Sequence, residues 1–192
     1  MKKSIFVITA TLLLLAPLFG QDPRERRSGR IVLTLTSAEI PDLWLVDQNG
    51  KKVRFYSDLI KGKVVLVHGF FTQCNAFCPM QARALVKLKE RLGDRLGRDV
   101  FIVSVSKDPR VDTPEKLRAW GKEYGVGAGW TLLTGEEAVV RKVLRDVITD
   151  DVSTDLHETL LVIGNDRTGV WTTTPGLQSP ERIIKVIDEV SR

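Results

Sequence analysis

Val64-Val65-Leu66-Val67-His68-Gly69-Phe70-Phe71 leads, through Thr72 and Gln73, into Cys74-Asn75-Ala76-Phe77-Cys78-Pro79. A nearly unbroken apolar run of this length is the pattern of a central strand covered on both faces. Pro79 stands where a helix can begin, because proline suits the first helical position. Leu85, Leu88, Leu92 and Leu96 follow at three- and four-residue steps and predict one buried helical stripe. A buried strand that feeds a helix places the two cysteines at the carboxyl end of a strand, where ligands gather in open α/β sheets.

Working outward, Leu43–Val46 and Lys52–Tyr56 flank Asp47-Gln48-Asn49-Gly50, and Asn-Gly is a strong hairpin signal. On the other side, Phe101–Val105 is a second apolar strand. Thr113-Pro114-Glu115 opens a helix with Leu117, Trp120 and Tyr124 on one face, and Trp130–Leu133 is a short strand. Thr134 and Glu137 form a capping-box pattern ahead of a third helix that runs to about Val147. Thr159–Ile163 and Val170–Thr173 flank Asn165-Asp166-Arg167-Thr168-Gly169 as a second hairpin. Ser179-Pro180-Glu181 caps a last helix through Ile183, Ile187 and Val190. Strands alternating with helices predict an α/β fold with a mainly parallel sheet covered on both sides, made mixed by the closing hairpin. Strand–helix–strand–helix followed by hairpin–helix is the thioredoxin-like order. Here it carries an N-terminal β-hairpin and an extra strand–helix unit at residues 130–148. The tryptophans fall at core spacings.

The chain has 192 residues, 43% hydrophobic and 28% charged, which suits one globular domain. Lys2 and Lys3 precede an uncharged apolar run from Ile5 to Phe19, the pattern of a secretory signal. The sequence thus divides into a signal peptide or N-terminal anchor at 1–20, a polar Arg-rich linker at 21–38 and a domain at 39–192. The expected location is outside the cytoplasm, in the periplasm or attached to the outer face of the inner membrane, with the N-terminal segment as a possible tether. The formal charge is +5, and loss of Lys2 and Lys3 leaves +3 on residues 21–192. No stripe of Lys and Arg interleaved with aromatics accompanies it, which argues against nucleic acid as a partner.

The chain holds two cysteines, four positions apart. In an oxidising compartment such thiols are paired as a disulfide, held by a metal, or kept reduced for chemistry. A disulfide closing so short a loop restricts the unfolded chain little, so it stabilises only modestly. If the helix extends back through the motif, residues at i and i+4 share a face and both sulfurs come within reach of one ion. The positive end of the helix favours thiolate over thiol there. Metal binding or redox chemistry is therefore the stronger reading.

The Cys74-x-x-x-Cys78-Pro79 turn after an apolar strand resembles that of the Sco/SenC family, the copper chaperones of cytochrome oxidase assembly. Asp47-Gln48-Asn49-Gly50-Lys51 followed by Phe55-Tyr56-Ser57-Asp58 is similar to the family's opening hairpin. Ser106-Lys107-Asp108-Pro109-Arg110-Val111-Asp112-Thr113-Pro114 is similar to its Asp-Pro-x-x-Asp-Thr-Pro segment, and Gly129-Trp130-Thr131-Leu132-Leu133-Thr134-Gly135 to its Trp-containing strand. The resemblance covers about residues 40 to 190. It implies that His157, just ahead of the strand at Thr159, joins Cys74 and Cys78 as the third ligand of one copper ion per chain. Two thiolates and an imidazole suit copper in both oxidation states, although zinc would accept the same set. The implied partner is cytochrome c oxidase subunit II, whose binuclear copper centre would receive the ion.

The alternative is a thiol–disulfide oxidoreductase in which Cys74 and Cys78 are the redox-active pair and act on the recipient's cysteines. The three-residue spacing and the absence of a proline near His157 argue against ordinary thioredoxin chemistry. A peroxidase is less favoured, because Thr72 and Cys74 are separated by one residue where peroxiredoxins have two. Glu158 after His157 and Lys107 before Asp108 depart from the family pattern. His68 reads as a core residue or a support behind the site, Met80 as a packing residue, and Asp108 as a turn residue or a neighbour of the site.

Overall fold

A computed structural model describes the backbone of Val32–Leu33 and residues 39–148 and 160–192. Among the described residues, eight strands form one sheet in the order β1-β8-β7-β4-β5-β6-β2-β3. They are β1 (Val32–Leu33), β2 (Trp44–Asp47), β3 (Lys52–Arg54), β4 (Val64–Phe70), β5 (Val100–Ser106), β6 (Trp130–Thr134), β7 (Leu160–Asn165) and β8 (Val170–Pro175). The helices are α1 (Phe77–Leu92), α2 (Pro114–Glu123), α3 (Glu137–Val143) and α4 (Pro180–Val190). Strands β4, β5 and β6 run parallel, whereas every other pairing is antiparallel. The sheet is therefore mixed rather than mainly parallel. Its parallel part is confined to the three strands joined through α1 and α2, since a parallel return needs a crossover. Strand β1, paired to β8, falls within the stretch read from the sequence as linker.

Strand β4 lies between β5 and β7 and is buried at each of its residues. Its alternate side chains enter two cores. Leu66 and Phe70 pack toward Leu85 of α1, Leu117 of α2 and Ile187 of α4. Val65 and Val67 face the other way, toward Phe55 beyond the first hairpin and Val143 of α3. The hairpin turn is closed by Asp47, whose Oδ1 accepts the N–H groups of Asn49 at 2.8 Å and Lys51 at 2.9 Å. Tyr56, expected at the end of a strand, instead belongs to a π-helical turn at Phe55–Ile60 that carries Phe55 and Ile60 into the core.

Three local expectations are corrected. The capping box at Thr134 does not form, because Thr134 ends β6 and α3 starts after Glu136 without a side-chain cap. Helix α1 ends at Gly93, so Leu96 lies beyond it, although it still packs against the core. Trp120, Trp130 and Trp171 are buried, but Trp44 is 56% exposed on the outer hairpin, stacked beneath the Arg54 guanidinium. The caps at Thr113 and Ser179, each followed by a proline in the first turn, form as expected.

Gly164 of β7 is opposite Trp171 of β8, and the indole lies across its bare Cα. A Cβ at Gly164 would fall 2.1 Å from Trp171 Cε3, inside any permitted contact, whereas one at Gly127 would meet nothing within 4 Å. Gly164→Ala is expected to cost about 1–3 kcal/mol through overpacking. Gly127→Ala should change stability by less than about 0.5 kcal/mol, the range of ordinary surface substitutions. Urea unfolding followed by tryptophan fluorescence checks both.

Candidate metal and redox site

The chain leaves β4 at Phe70 and turns into α1 within six residues, Phe71 to Ala76. The Cys74 N–H donates to the Phe71 carbonyl at 3.3 Å, which forms the turn. Helix α1 begins at Phe77, two positions before Pro79, and Ala76 at its N-cap has no side chain to offer the free N–H groups. Cys74 supplies the acceptor instead, its Sγ taking the Cys78 N–H at 3.3 Å. The sulfurs therefore meet because one caps the helix that carries the other, not because both stand on one helical face. Cys74 lies outside the helix. Both cysteines are free thiols, Cys74 partly exposed and Cys78 buried.

Their surroundings divide them. Burial pushes the Cys74 thiol upward. Hydrogen bonds from the Cys78 thiol and from the Cys78, Ala76 and Phe77 backbone outweigh this and bring it below the usual thiol range. Cys78 is pushed up to about 12, first by burial and then by its hydrogen bond to Cys74 and that neighbour's charge, while the charge of Lys107 opposes the rise. One sulfur is thus partly exposed and the more readily ionised of the two, and the other is buried and holds its proton.

His68 lies in the core with both ring nitrogens engaged, as the sequence suggested. Nε2 is 2.6 Å from Ser104 Oγ, which accepts the Trp130 Nε1–H at 2.9 Å, and Nδ1 is 3.3 Å from the Gly69 carbonyl. Because the Gly69 carbonyl can only accept, Nδ1 bears the imidazole hydrogen and Nε2 accepts the Ser104 hydroxyl. Burial lowers His68 to about 4; the Lys107 charge adds to this, while the Gly69 carbonyl and the Gln81 side chain oppose it. A ring held this way has no free lone pair for a metal.

Asp108 serves its turn, its carbonyl accepting the N–H groups of Val111 at 3.0 Å and Asp112 at 2.9 Å. Met80 is 52% exposed, so it does not pack as expected: in the first turn of α1 it faces away from the sheet. Among the described residues, Cys74 and Cys78 come together, and no group of three or more His, Cys, Asp or Glu converges as a metal site. His157, the expected third ligand, lies outside the described residues. Sequence reading missed Asp112, fully buried and bonded to Thr72 two positions before Cys74. The available signal was an acid immediately ahead of the Thr113-Pro114 helix start, read only as part of a motif.

Two outcomes follow from this geometry. In the reduced protein at pH 8, iodoacetamide should label Cys74 more than about tenfold faster than Cys78, because the thiolate is the reacting form; peptide mass spectrometry checks this. His68 is neutral when folded down to about pH 4, whereas the unfolded chain binds its proton near pH 6.5. Stability should therefore fall as pH drops from 6.5 toward 4, by an amount on the order of 3 kcal/mol. His68→Gln should flatten that part of the pH profile of urea unfolding.

A family model for SCO1/SenC proteins matches residues 34–192. An SCO2-like protein of Rickettsia typhi is 27% identical over 141 residues, spanning 73% of this chain and 66% of that protein, so the match covers just under two thirds of the relative's length. A SCO1/SenC family lipoprotein of Bacillus anthracis superposes with a TM-score of 0.69 at 26% identity, over 84% of this chain and 98% of its own. BsSco, a member of the Sco family of cytochrome c oxidase assembly proteins in which a disulfide switch was identified, gives 0.66 at 23% identity, over 79% and 92%. Yeast Sco1 with copper bound gives 0.61 at 18%, over 79% and 94%, and like BsSco bears on the fold alone. With the family model matched across the whole thioredoxin-like domain and the cysteine turn at the end of its central strand, the chain belongs to the SCO1/SenC family.

Proposed function

We propose that the protein is a copper chaperone that binds one copper ion through Cys74, Cys78 and His157 and passes it to the binuclear copper centre of cytochrome c oxidase subunit II. The observation that carries this reading is the meeting of two free thiols at the entrance of α1, with Cys74 Sγ on the Cys78 N–H. Paired sulfurs of this kind are a soft donor set, which favours Cu(I), and an imidazole helps to hold Cu(II). Their unequal exposure suits transfer. A ligand at the surface can be replaced by a donor of the recipient while the buried one still holds the ion. Membership of the SCO1/SenC family supports this reading. In this reading, residues 1–20 direct or anchor the domain outside the cytoplasm, where subunit II would present its copper centre.

A thiol–disulfide oxidoreductase acting on the recipient's cysteines is a second reading, favoured by the division between an activated Cys74 and a protonated Cys78. Such a division is the arrangement in which one thiolate attacks and its neighbour resolves the mixed disulfide.

Titration of the chain from residue 21 onward is expected to reach about one copper per chain. A thiolate-to-Cu(II) absorption band should be absent in Cys74→Ala, as expected if that sulfur is a ligand. His157→Ala should weaken Cu(II) binding about tenfold or more, at least the cost of disturbing a ligand's own support, with thiol content unchanged. Full copper affinity in His157→Ala, together with rapid disulfide exchange, would shift the assignment to the oxidoreductase.

A further inference from the structure

The loop that carries Cys74 is held from below by a carboxylate that takes no part in the proposed ligand set. Asp112 is fully buried. Its Oδ1 accepts the Thr72 hydroxyl at 2.5 Å, its Oδ2 accepts the Ser106 hydroxyl at 2.6 Å, and the Thr72 N–H lies 3.3 Å from both oxygens. The clamp is itself anchored. Ser106 is the last residue of β5, its Oγ accepts the Asp108 N–H at 3.1 Å, and the Asp112 N–H donates to the Asp108 carbonyl at 2.9 Å. Thr113, the next residue, is the N-cap of α2. Asp112 therefore joins the ends of β4 and β5 and the start of α2 at one point.

The two sulfurs differ in what fixes them. Cys78 sits in α1 with its side chain in the core, and the packing of that helix determines its position. Cys74 sits in a turn, with its N–H on the Phe71 carbonyl and Thr72 as the nearest residue anchored by its side chain. Whatever holds Thr72 holds the beginning of that turn, and so decides where the Cys74 sulfur stands relative to the Cys78 N–H. A buried carboxylate is a demanding anchor, because each donor it loses leaves charge unsatisfied in the interior. Thr72 therefore has little freedom to drift.

We propose that Asp112 is a positioning residue: by clamping Thr72 it holds the turn bearing Cys74 and keeps the two sulfurs within reach of each other. This rests on the reading of Cys74 and Cys78 as the working pair. It is tested without metal. In the equilibrium with glutathione, the reduced protein and one glutathione disulfide give the Cys74–Cys78 disulfide and two glutathione thiols. Two S–H bonds and one S–S bond thus stand on each side, and the equilibrium constant reports how well the sulfurs are held together.

Thr72→Val removes one hydroxyl donor and Asp112→Asn removes the carboxylate. Each should lower the constant about tenfold or more, close to 30 mV for a two-electron couple. The double variant should fall no further than the lower of the two. Thr72→Ser restores the hydroxyl and should remain within about threefold of the parent. It also keeps the test intact if Asp112→Asn fails to fold. Val143→Ala, in the core on the opposite face of the sheet, matches the loss of stability without touching the clamp and should leave the constant unchanged. The proposal is overturned if Thr72→Val lies within twofold of the parent, or if Val143→Ala moves the constant as far. A clamp effect without copper binding would remove the cargo reading and leave this one; normal copper binding with an unmoved constant would do the reverse.

Discussion

Strand β4 has both faces covered and a hydrogen-bonded neighbour on either edge, and its burial constrains everything at its carboxyl end. A chain leaving such a strand emerges at the rim of the sheet and must turn at once to form the crossover that returns parallel in β5. The crossover is α1, and the residues between strand and helix have no neighbouring strand to bond. Their polar groups must be satisfied locally. In this molecule a sulfur does part of that work, accepting the N–H of Cys78 where Ala76 provides no cap. The placement of the thiols and the beginning of the helix are one structural event.

The same arrangement makes two identical side chains chemically different. Cys74 gathers N–H donors at the mouth of the helix, and these favour its anion against the opposing effect of burial. Cys78, one turn further into the core, keeps its proton. A metal that binds both must displace that second proton, which couples loading to pH. An incoming disulfide would meet Cys74 first. Copper carriage and thiol exchange therefore draw on a single asymmetry, and the residue outside the described region, His157, is the one on which the two readings divide.

The region beneath the site is polar where an apolar core would be simpler. His68, Ser104 and Trp130 form a closed chain of hydrogen bonds on one face of the sheet. Nearby at the strand ends, Thr72, Ser106 and Asp112 form another. Gly69 leaves room for the stem of Lys107, whose Cε would lie 2.4 Å from a Cβ at that position. Buried networks of this kind gain little net stability but strongly disfavour alternative arrangements, because every member left unpaired is penalised. Holding a short turn in one geometry is a task that suits them.

Much of this was legible in the sequence. The apolar run at 64–71, the stripe of leucines after Pro79, the two hairpin turns and the capped helices at Thr113 and Ser179 all follow from local periodicity and backbone preference, which act over a few residues. The cysteine pair was legible as a candidate site for the same reason, since its spacing and its place after a buried strand are local facts. Other features were not local. Thr134 looked like a helix cap until sheet pairing claimed it for β6, and Trp44 and Met80 looked like packing residues although both are exposed among the described residues. Periodicity also could not show which sulfur would be buried, that Cys74 would cap its neighbour's helix from outside it, or that Asp112 would reach across 40 positions to Thr72. Composition and spacing determined which groups were available. Only the tertiary fold, by bringing the ends of β4 and β5 and the starts of α1 and α2 to one edge, decided which of them touch, because burial and hydrogen bonding between distant segments exist only once the sheet has closed.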